Sequence, residues 1–314
     1  MKKALVLGAS GGMGFALVHE LAAREIETVA FARGREKLER LFGAMRGVSI
    51  RSGDLFVLDH LLSAGEGVDV IFHAANIPYP EWQEGLPRIM RNVLDAAKQL
   101  GAKVVVIDNI YAYGRSGGQK VTEQTPKRPH TKKGKIRLAL EEMVAEAHQA
   151  GVPALVTHFP DFYGPNAENT LLHYTLKAMQ AHKSARFVGD PAVEREYIFT
   201  PDGAKAAVEL ALRESAYGQH WNIPGPAVIS GHALIDIMRQ QTGYKGKVGT
   251  VGKGMISFIG LFQPMMREMV EMMYLLEEPV VLSGEKYERE IGPLPQTPYE
   301  EGIRKTLAFM KKGE

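Results

Sequence analysis

The sequence predicts an α/β chain, with a doubly wound parallel sheet in its first half and a smaller α+β lobe after it. Three observations predict this. Short apolar runs alternate with helix-spaced segments from residue 4 to residue 157, the pattern of βαβ units. The run Val104-Val105-Val106-Ile107 is apolar throughout, as a strand covered on both faces must be. At the start, Ala4-Leu5-Val6-Leu7 runs straight into Gly8-Ala9-Ser10-Gly11-Gly12-Met13-Gly14 and then into helical spacing from Phe15. A strand that enters a glycine turn opening a helix is built to hold a pyrophosphate. Glycine lets the backbone approach the ligand, and the free N–H groups of the helix start face the anion.

The remaining elements follow in order. Thr28–Ala32 reads as the second strand, Arg35–Phe42 as a helix, Val48–Ile50 as the third strand and Val68–Phe72 as the fourth. Trp82–Leu100 is a longer helix with Ile89, Val93, Ala96, Ala97 and Leu100 on one face. Thr131–Ala150 repeats the pattern through Ile136, Leu140, Met143, Val144 and Ala147, ahead of the strand Ala154–Thr157. The cofactor domain is placed at 1–160 and a substrate-binding lobe at 161–314, some of whose segments pack back on the sheet. In that lobe helices are expected over Leu171–Ala181, Pro201–Leu212, Ser230–Thr242 and Pro264–Leu276, with a strand at Arg195–Phe199 and a basic glycine-rich loop from Lys245 to Lys253. The five methionines of 264–276 make an adaptable apolar face for core, for a substrate cap or for the subunit interface of a homodimer.

Composition excludes several functions. The 314 residues include no cysteine, so disulfides, thiolate metal sites and a cysteine nucleophile are ruled out. The ten histidines show no ligand spacing with carboxylates on one helix, and no metal is expected. A net charge of +2 without a basic, aromatic-interleaved stripe points to no nucleic-acid partner. No apolar run approaches the roughly 20 residues of a membrane span, so no membrane partner is expected. The chain enters a structural strand at once, and a cytoplasmic protein without a signal peptide is expected.

Residues at the strand ends carry the site predictions. Gly8, Ser10, Gly11, Gly12, Met13 and Gly14 cradle the dinucleotide phosphates. After the second strand stands Ala32-Arg33-Gly34-Arg35, with no acid where the adenosine ribose of NAD would be bonded. Arg33, helped by Arg35 or Lys37, can grip the 2′-phosphate of NADP, which makes NADP the expected cofactor and NAD the alternative. Asp54 and Leu55 meet the adenine, or Asp54 caps the following helix. Ala74 and Ala75 let backbone pass the cofactor, Asn76 faces the substrate, and His73 is read as structural.

With these motifs assembled, the chain resembles the extended short-chain dehydrogenase/reductase superfamily, in its NAD-dependent epimerase/dehydratase group. The resemblance runs from Gly8-x-x-Gly11-x-x-Gly14 through Gly53-Asp54-Leu55, His73-Ala74-Ala75, Tyr111-Ala112-Tyr113-Gly114 and Phe162-Tyr163-Gly164-Pro165 to Gly218–Ile223. It implies a Rossmann-type domain and hydride transfer to or from a small-molecule substrate. It also implies that Phe159 and Pro160 pack on the nicotinamide; Tyr113 is placed with the substrate, and Tyr163 either lines the substrate pocket or supports the turn. The family's Ser or Thr and its Tyr-x-x-x-Lys pair are replaced here. Asn109 stands at the first position, and Lys133 and Arg137 at the pair.

Three accounts compete. Hydride transfer proceeds with Lys133, Tyr111 or Tyr113 as the acid/base, beside Asn109 and Arg137. Otherwise NADP(H) is bound without turnover, as in a sensor or regulatory protein, or it is used internally for an isomerisation. Six Lys or Arg residues lie between Lys127 and Arg137. Positive charge at a helix start opposes the dipole, so either a solvated loop or a bound anionic, phosphorylated or nucleotide-linked substrate is expected there.

Overall fold

The computed structural model describes residues 1–312. Its strands are β1 (Lys3–Leu7), β2 (Glu27–Ala32), β3 (Val48–Ser52), β4 (Val70–His73), β5 (Lys103–Asn109), β6 (Ala154–Phe159), β7 (Asp161–Tyr163), β8 (Ala185–Val188), β9 (Glu194–Phe199), β10 (His220–Asn222), β11 (Val228–Ser230) and β12 (Val248–Val251). The helices used below are α1 (Gly12–Ala23), α2 (Arg35–Phe42), α3 (Leu58–Ala64), α4 (Trp82–Leu100), α5 (Lys132–Gln149), α6 (Leu171–Gln180), α7 (Thr200–Ala211), α8 (Gly231–Thr242), α9 (Lys253–Gly260), α10 (Pro264–Val270) and α11 (Tyr274–Glu277).

Seven strands form one parallel sheet in the order β10-β6-β5-β4-β1-β2-β3. The order reverses between β1 and β4, and a ligand crevice opens at such a switch point. Strand periodicity divides the core. Ala4 and Val6 face a cluster with Met13, Leu17, Ala204 and Val208 from α1 and α7. Leu5 and Leu7 face Leu86, Ile89, Val93, Leu140 and Val144 from α4 and α5. The second half contributes to the first: β10 completes the large sheet and α7 packs on α1. Its own core joins Tyr163, Leu176, Phe187, Tyr197, Leu234 and Ile303 beside the small sheets β11-β9-β7 and β12-β8. Among the described residues no helix is long and apolar enough to cross a membrane.

Two expectations for the lobe change. The basic stretch 245–253 contains a strand, β12, paired with β8. The single methionine helix is broken into α10 and α11 at residues 271–273. Glu268 and Glu271 reach ion pairs on one side, while Met272, Met273, Tyr274 and Leu276 are buried. One straight helix cannot serve both sides.

Candidate active site

β1 delivers the chain to Gly8, whose φ of +82° is one that side-chain-bearing residues rarely adopt. A Cβ there would stand 2.6 Å from the Ala75 Cα, so only glycine lets the turn pass the end of β4. A Cβ on Gly14 would collide with the Gly8 carbonyl oxygen; this glycine holds α1 against the turn and does not line the cleft. No side chain caps the start of α1, which leaves its first-turn N–H groups for an anion. Above the turn lies a cleft of about 640 Å³. Gly8, Ser10, Gly11, Gly12, Met13, Arg33, Asp54, Leu55, Ala74, Ala75 and Asn76 all line it. A pyrophosphate fits this cradle by its backbone donors and glycine surfaces, and the adenosine end fits between Arg33 and Leu55.

Several predicted residues take other roles. Phe159 and Pro160 are buried beneath the site and do not line the cleft. Phe159 instead packs towards Gly203 in the core, and Phe162, in the next short strand β7, faces the cleft. Asp54 accepts a hydrogen bond from the Phe56 N–H (3.0 Å), closing a turn. Val57 occupies the N-cap position of α3, which no side chain caps. Arg35 pairs with Glu39 along α2 (2.7 Å), away from the cleft. Lys37 lines the cleft and meets Glu168 at 2.8 Å.

The loop carrying Glu168 escaped sequence reasoning. Asn166, at φ +58°, donates from its amide to the Ser10 carbonyl (3.0 Å) and ties the loop down over the glycine turn. The one local signal was an asparagine just after Gly164-Pro165, a type that tolerates left-handed backbone.

Next to Asn76, the ends of β5 and α5 bring together the other candidates. Asn109 accepts from the Tyr111 N–H (3.0 Å), so its carbonyl caps the turn Ile110–Tyr113 and only its amide is left to donate. The Tyr111 hydroxyl lies 2.8 Å from that of Tyr79, a residue the motifs had not indicated. Burial raises the phenol of Tyr79 and carries that of Tyr111 well above the ordinary range, so both hold their protons. Arg137 pairs with Asp108 (3.2 Å), donates to the Asn76 side-chain oxygen (3.3 Å) and stacks on Trp82 at 4.3 Å. Burial raises the Asp108 carboxyl despite that cation. Lys133 is buried, bonds Glu268, lies 3.1 Å from Glu271 and sits 5.5 Å from the Tyr79 ring centre.

Three of the six cations in the basic run around Lys133 are therefore offset by the chain itself. The backbone N–H groups of Lys132 and Lys133 donate to the Glu271 carboxylate (2.9 and 3.2 Å), an internal anion at the start of α5. Lys127 is paired with Glu141, and Arg137 with Asp108.

Tyr113 and Tyr163 stand apart from the cleft and both are buried. Tyr113 donates to Asn222 (2.6 Å) because β5 and β10 flank β6 and its turn points inward. Tyr163 packs between Phe199 and Tyr299, supporting the turn.

Beside Tyr113, Glu141 binds both Lys127 and His158 (3.0 Å). Burial by itself would raise this carboxyl, but the two neighbours bring it down to about 2. A folded pKa below the ordinary 4.5 means stabilisation fully present above 4.5 and lost as pH falls towards 2. Glu141→Gln should therefore cost on the order of 2–3 kcal/mol at neutral pH. Urea unfolding across that acid window should show a flatter decline for the variant.

On the other side, burial raises the Asp161 carboxyl, which Arg195 of β9 opposes, and the Asp161 charge helps to keep the phenols of Tyr79 and Tyr111 protonated. Arg195 is only 4% exposed. It gives one bond to the Val188 carbonyl (3.0 Å), while Nε and Nη1 have no protein partner. A buried guanidinium with unused donors suits an anionic ligand group.

This geometry has relatives. Residues 4–224, which span nearly the whole of the large sheet, match the family model described as NAD dependent epimerase/dehydratase. The chain is 26% identical over 266 residues to a Bacillus subtilis protein named as an uncharacterised UDP-glucose epimerase, YtcB, covering 77% of this chain and 83% of that one. Among solved structures, a dTDP-glucose 4,6-dehydratase of Bacillus anthracis in complex with NAD superposes with a TM-score of 0.82 at 17% identity, over 100% of this chain and 98% of the other. A UDP-glucuronic acid 4-epimerase of Bacillus cereus in complex with NAD gives 0.79 at 18%, over 99% of each. At such identities the structures bear on the fold, and the family match carries the assignment: the chain belongs to the NAD-dependent epimerase/dehydratase family.

Proposed function

We propose that this protein is an NADP(H)-dependent oxidoreductase or epimerase acting on a nucleotide-linked sugar. The hydroxyl pair Tyr79–Tyr111 carries this reading: both rings pack beside Trp82, which Arg137 covers while it bonds the cleft-lining Asn76. When bound, the nicotinamide supplies or accepts the hydride; the chain handles the proton and the substrate. Tyr111 holds a proton on its phenol and passes it to the substrate oxygen. Tyr79 gives its proton to Tyr111 along the shared hydrogen bond and is itself reprotonated from bulk water. Arg137 stays protonated and cannot shuttle; it positions Asn76 and neutralises Asp108. Asn109 donates its free amide to the same oxygen. Arg195 supports the nucleotide-linked part of the substrate, because its unused donors match a diphosphate. The UDP- and dTDP-sugar names of the relatives favour the same class.

A single-turnover absorbance assay tests it. Reduced cofactor should be consumed or transiently formed with a UDP- or dTDP-sugar. Tight cofactor binding without any hydride movement across the panel would favour the second reading, a non-catalytic NADP(H)-binding regulator. One observation supports that alternative: Lys133 is held by Glu268 and Glu271 and is absent from the cleft lining.

The NADP preference rests on Arg33 and Lys37, with no acid at the end of β2. A charge-assisted bond to the 2′-phosphate is worth roughly 1.5–3 kcal/mol. Fluorescence titration should give NADPH about tenfold or more over NADH, and Arg33→Ala should erase most of the difference. Equal affinities in the unaltered protein would assign NAD.

A further inference from the structure

The outer face of the segment roofing the site is the most apolar exposed surface of the molecule. Among the described residues, nine large hydrophobic side chains are exposed, and five of them lie between residues 255 and 265. Phe258, Leu261 and Phe262 are 66%, 74% and 77% exposed, with Met255 and Met265 beside them. Their spacing puts Met255, Phe258 and Phe262 on one side of α9 and its extension, while Ile256 faces inward onto Met273 and Leu276. The helix is thus two-sided, and both sides are apolar. A helix of that kind is either buried or covered.

Charge identifies the cover. No aspartate or glutamate occurs between Asp236 and Glu268, whereas Arg239, Lys245, Lys247, Lys253 and Arg267 do. Lys245, Lys247, Lys253 and Arg267 are exposed, as is Arg186 on β8, the strand beside β12. Apolar aromatic side chains ringed by cations match an anionic bilayer surface, which accepts the rings at headgroup depth and attracts the lysines and arginines. A second copy of this chain fits less well. A two-fold contact through this face sets the same cations against one another.

We propose that the α9–α10 hairpin docks on anionic lipid. The molecule's overall charge of +2 conceals this local field, because acidic residues elsewhere balance it. The proposal is independent of the chemistry proposed above. It also places the roof of the site at the bilayer, since Glu268 and Glu271 of the same segment reach inward to Lys133.

Co-sedimentation of the full chain with phosphatidylglycerol-containing vesicles tests it, with pure phosphatidylcholine vesicles as the comparison. Binding is expected on the anionic vesicles only, and it should weaken about tenfold or more in high salt as the charges are screened. The triple variant Phe258→Ser, Leu261→Ser, Phe262→Ser should lose that binding while keeping its melting temperature and its affinity for reduced cofactor. Lys253→Glu with Arg267→Glu should weaken it as well. Failure of the unaltered protein to bind anionic vesicles, or equal binding by the triple variant, would overturn the proposal. A dimer seen by light scattering and abolished by the triple variant, with no vesicle binding, would assign the face to a second copy instead.

Discussion

Replacing Arg137 with methionine is expected to lower the unfolding free energy by about 3–5 kcal/mol at neutral pH. Asp108 is the reason. Its carboxylate is almost fully buried, with Oδ1 on the guanidinium and on the Asn109 N–H, and Oδ2 without a partner. Removing the cation leaves an uncompensated buried charge and also strips the stacking partner from Trp82. The effect has a defined pH dependence. Burial already holds the Asp108 carboxyl above its ordinary 3.8, and without Arg137 it rises further. A group with a raised folded pKa binds its proton better in the folded state. The deficit is therefore complete above the folded pKa and is relieved as pH falls through it towards 3.8. Urea unfolding at neutral and mildly acidic pH measures this directly. The double variant Asp108→Leu, Arg137→Met should recover most of the loss, because a paired charge can be exchanged for apolar packing at little cost. A deficit that is small and unchanged with pH would show that the pair contributes little.

Tyr111→Phe is expected to reduce hydride-transfer turnover by about 10²–10⁴-fold, the usual weight of a positioned acid or base. Cofactor affinity should remain intact, because Tyr111 does not line the cleft. Tyr79→Phe removes the relay partner only, and its loss should be smaller. The pH profile separates these roles from a structural one. Burial holds the Tyr111 proton well past the ordinary phenol range, so proton donation to a carbonyl should stay flat through neutrality. Single-turnover rates across pH, with bound reduced cofactor, provide the comparison. Near-normal turnover in Tyr111→Phe would move the proton to another group.

The cofactor half of this protein was legible because its signals are local. Helix Trp82–Leu100 is bounded as its periodicity predicts, with Gly101 in the left-handed conformation ending it. The glycine turn declares itself within seven residues by its spacing, although only Gly14 is demanded by atoms of the turn itself, whereas Gly8 is demanded by Ala75 and Gly12 by Ala167. Arg33, Asp54 and Ala74 line the cleft because they end parallel strands, whose carboxyl ends meet at a switch point by topology alone.

The catalytic side was only partly legible. Asn109, Tyr111, Lys133 and Arg137 could be placed near one another by family spacing, but their partners could not. Tyr79 arrives from the loop after β4, and Glu268 reaches Lys133 from 135 positions away. Phe159 and Phe162 were exchanged because the break at Pro160 between β6 and β7 decides which side chain faces the cleft.

The sequence by itself determined the parallel sheet and the glycine-rich turn after its first strand, because hydrophobic periodicity and the strand–glycine–helix order act over a few residues. Only the tertiary structure decided that Lys127, Lys133 and Arg137 of the basic run are paired from within, that Tyr113 and Tyr163 are supports, and that an apolar hairpin roofs the site. Charge pairing and burial depend on which distant segments meet, and no local pattern encodes that meeting.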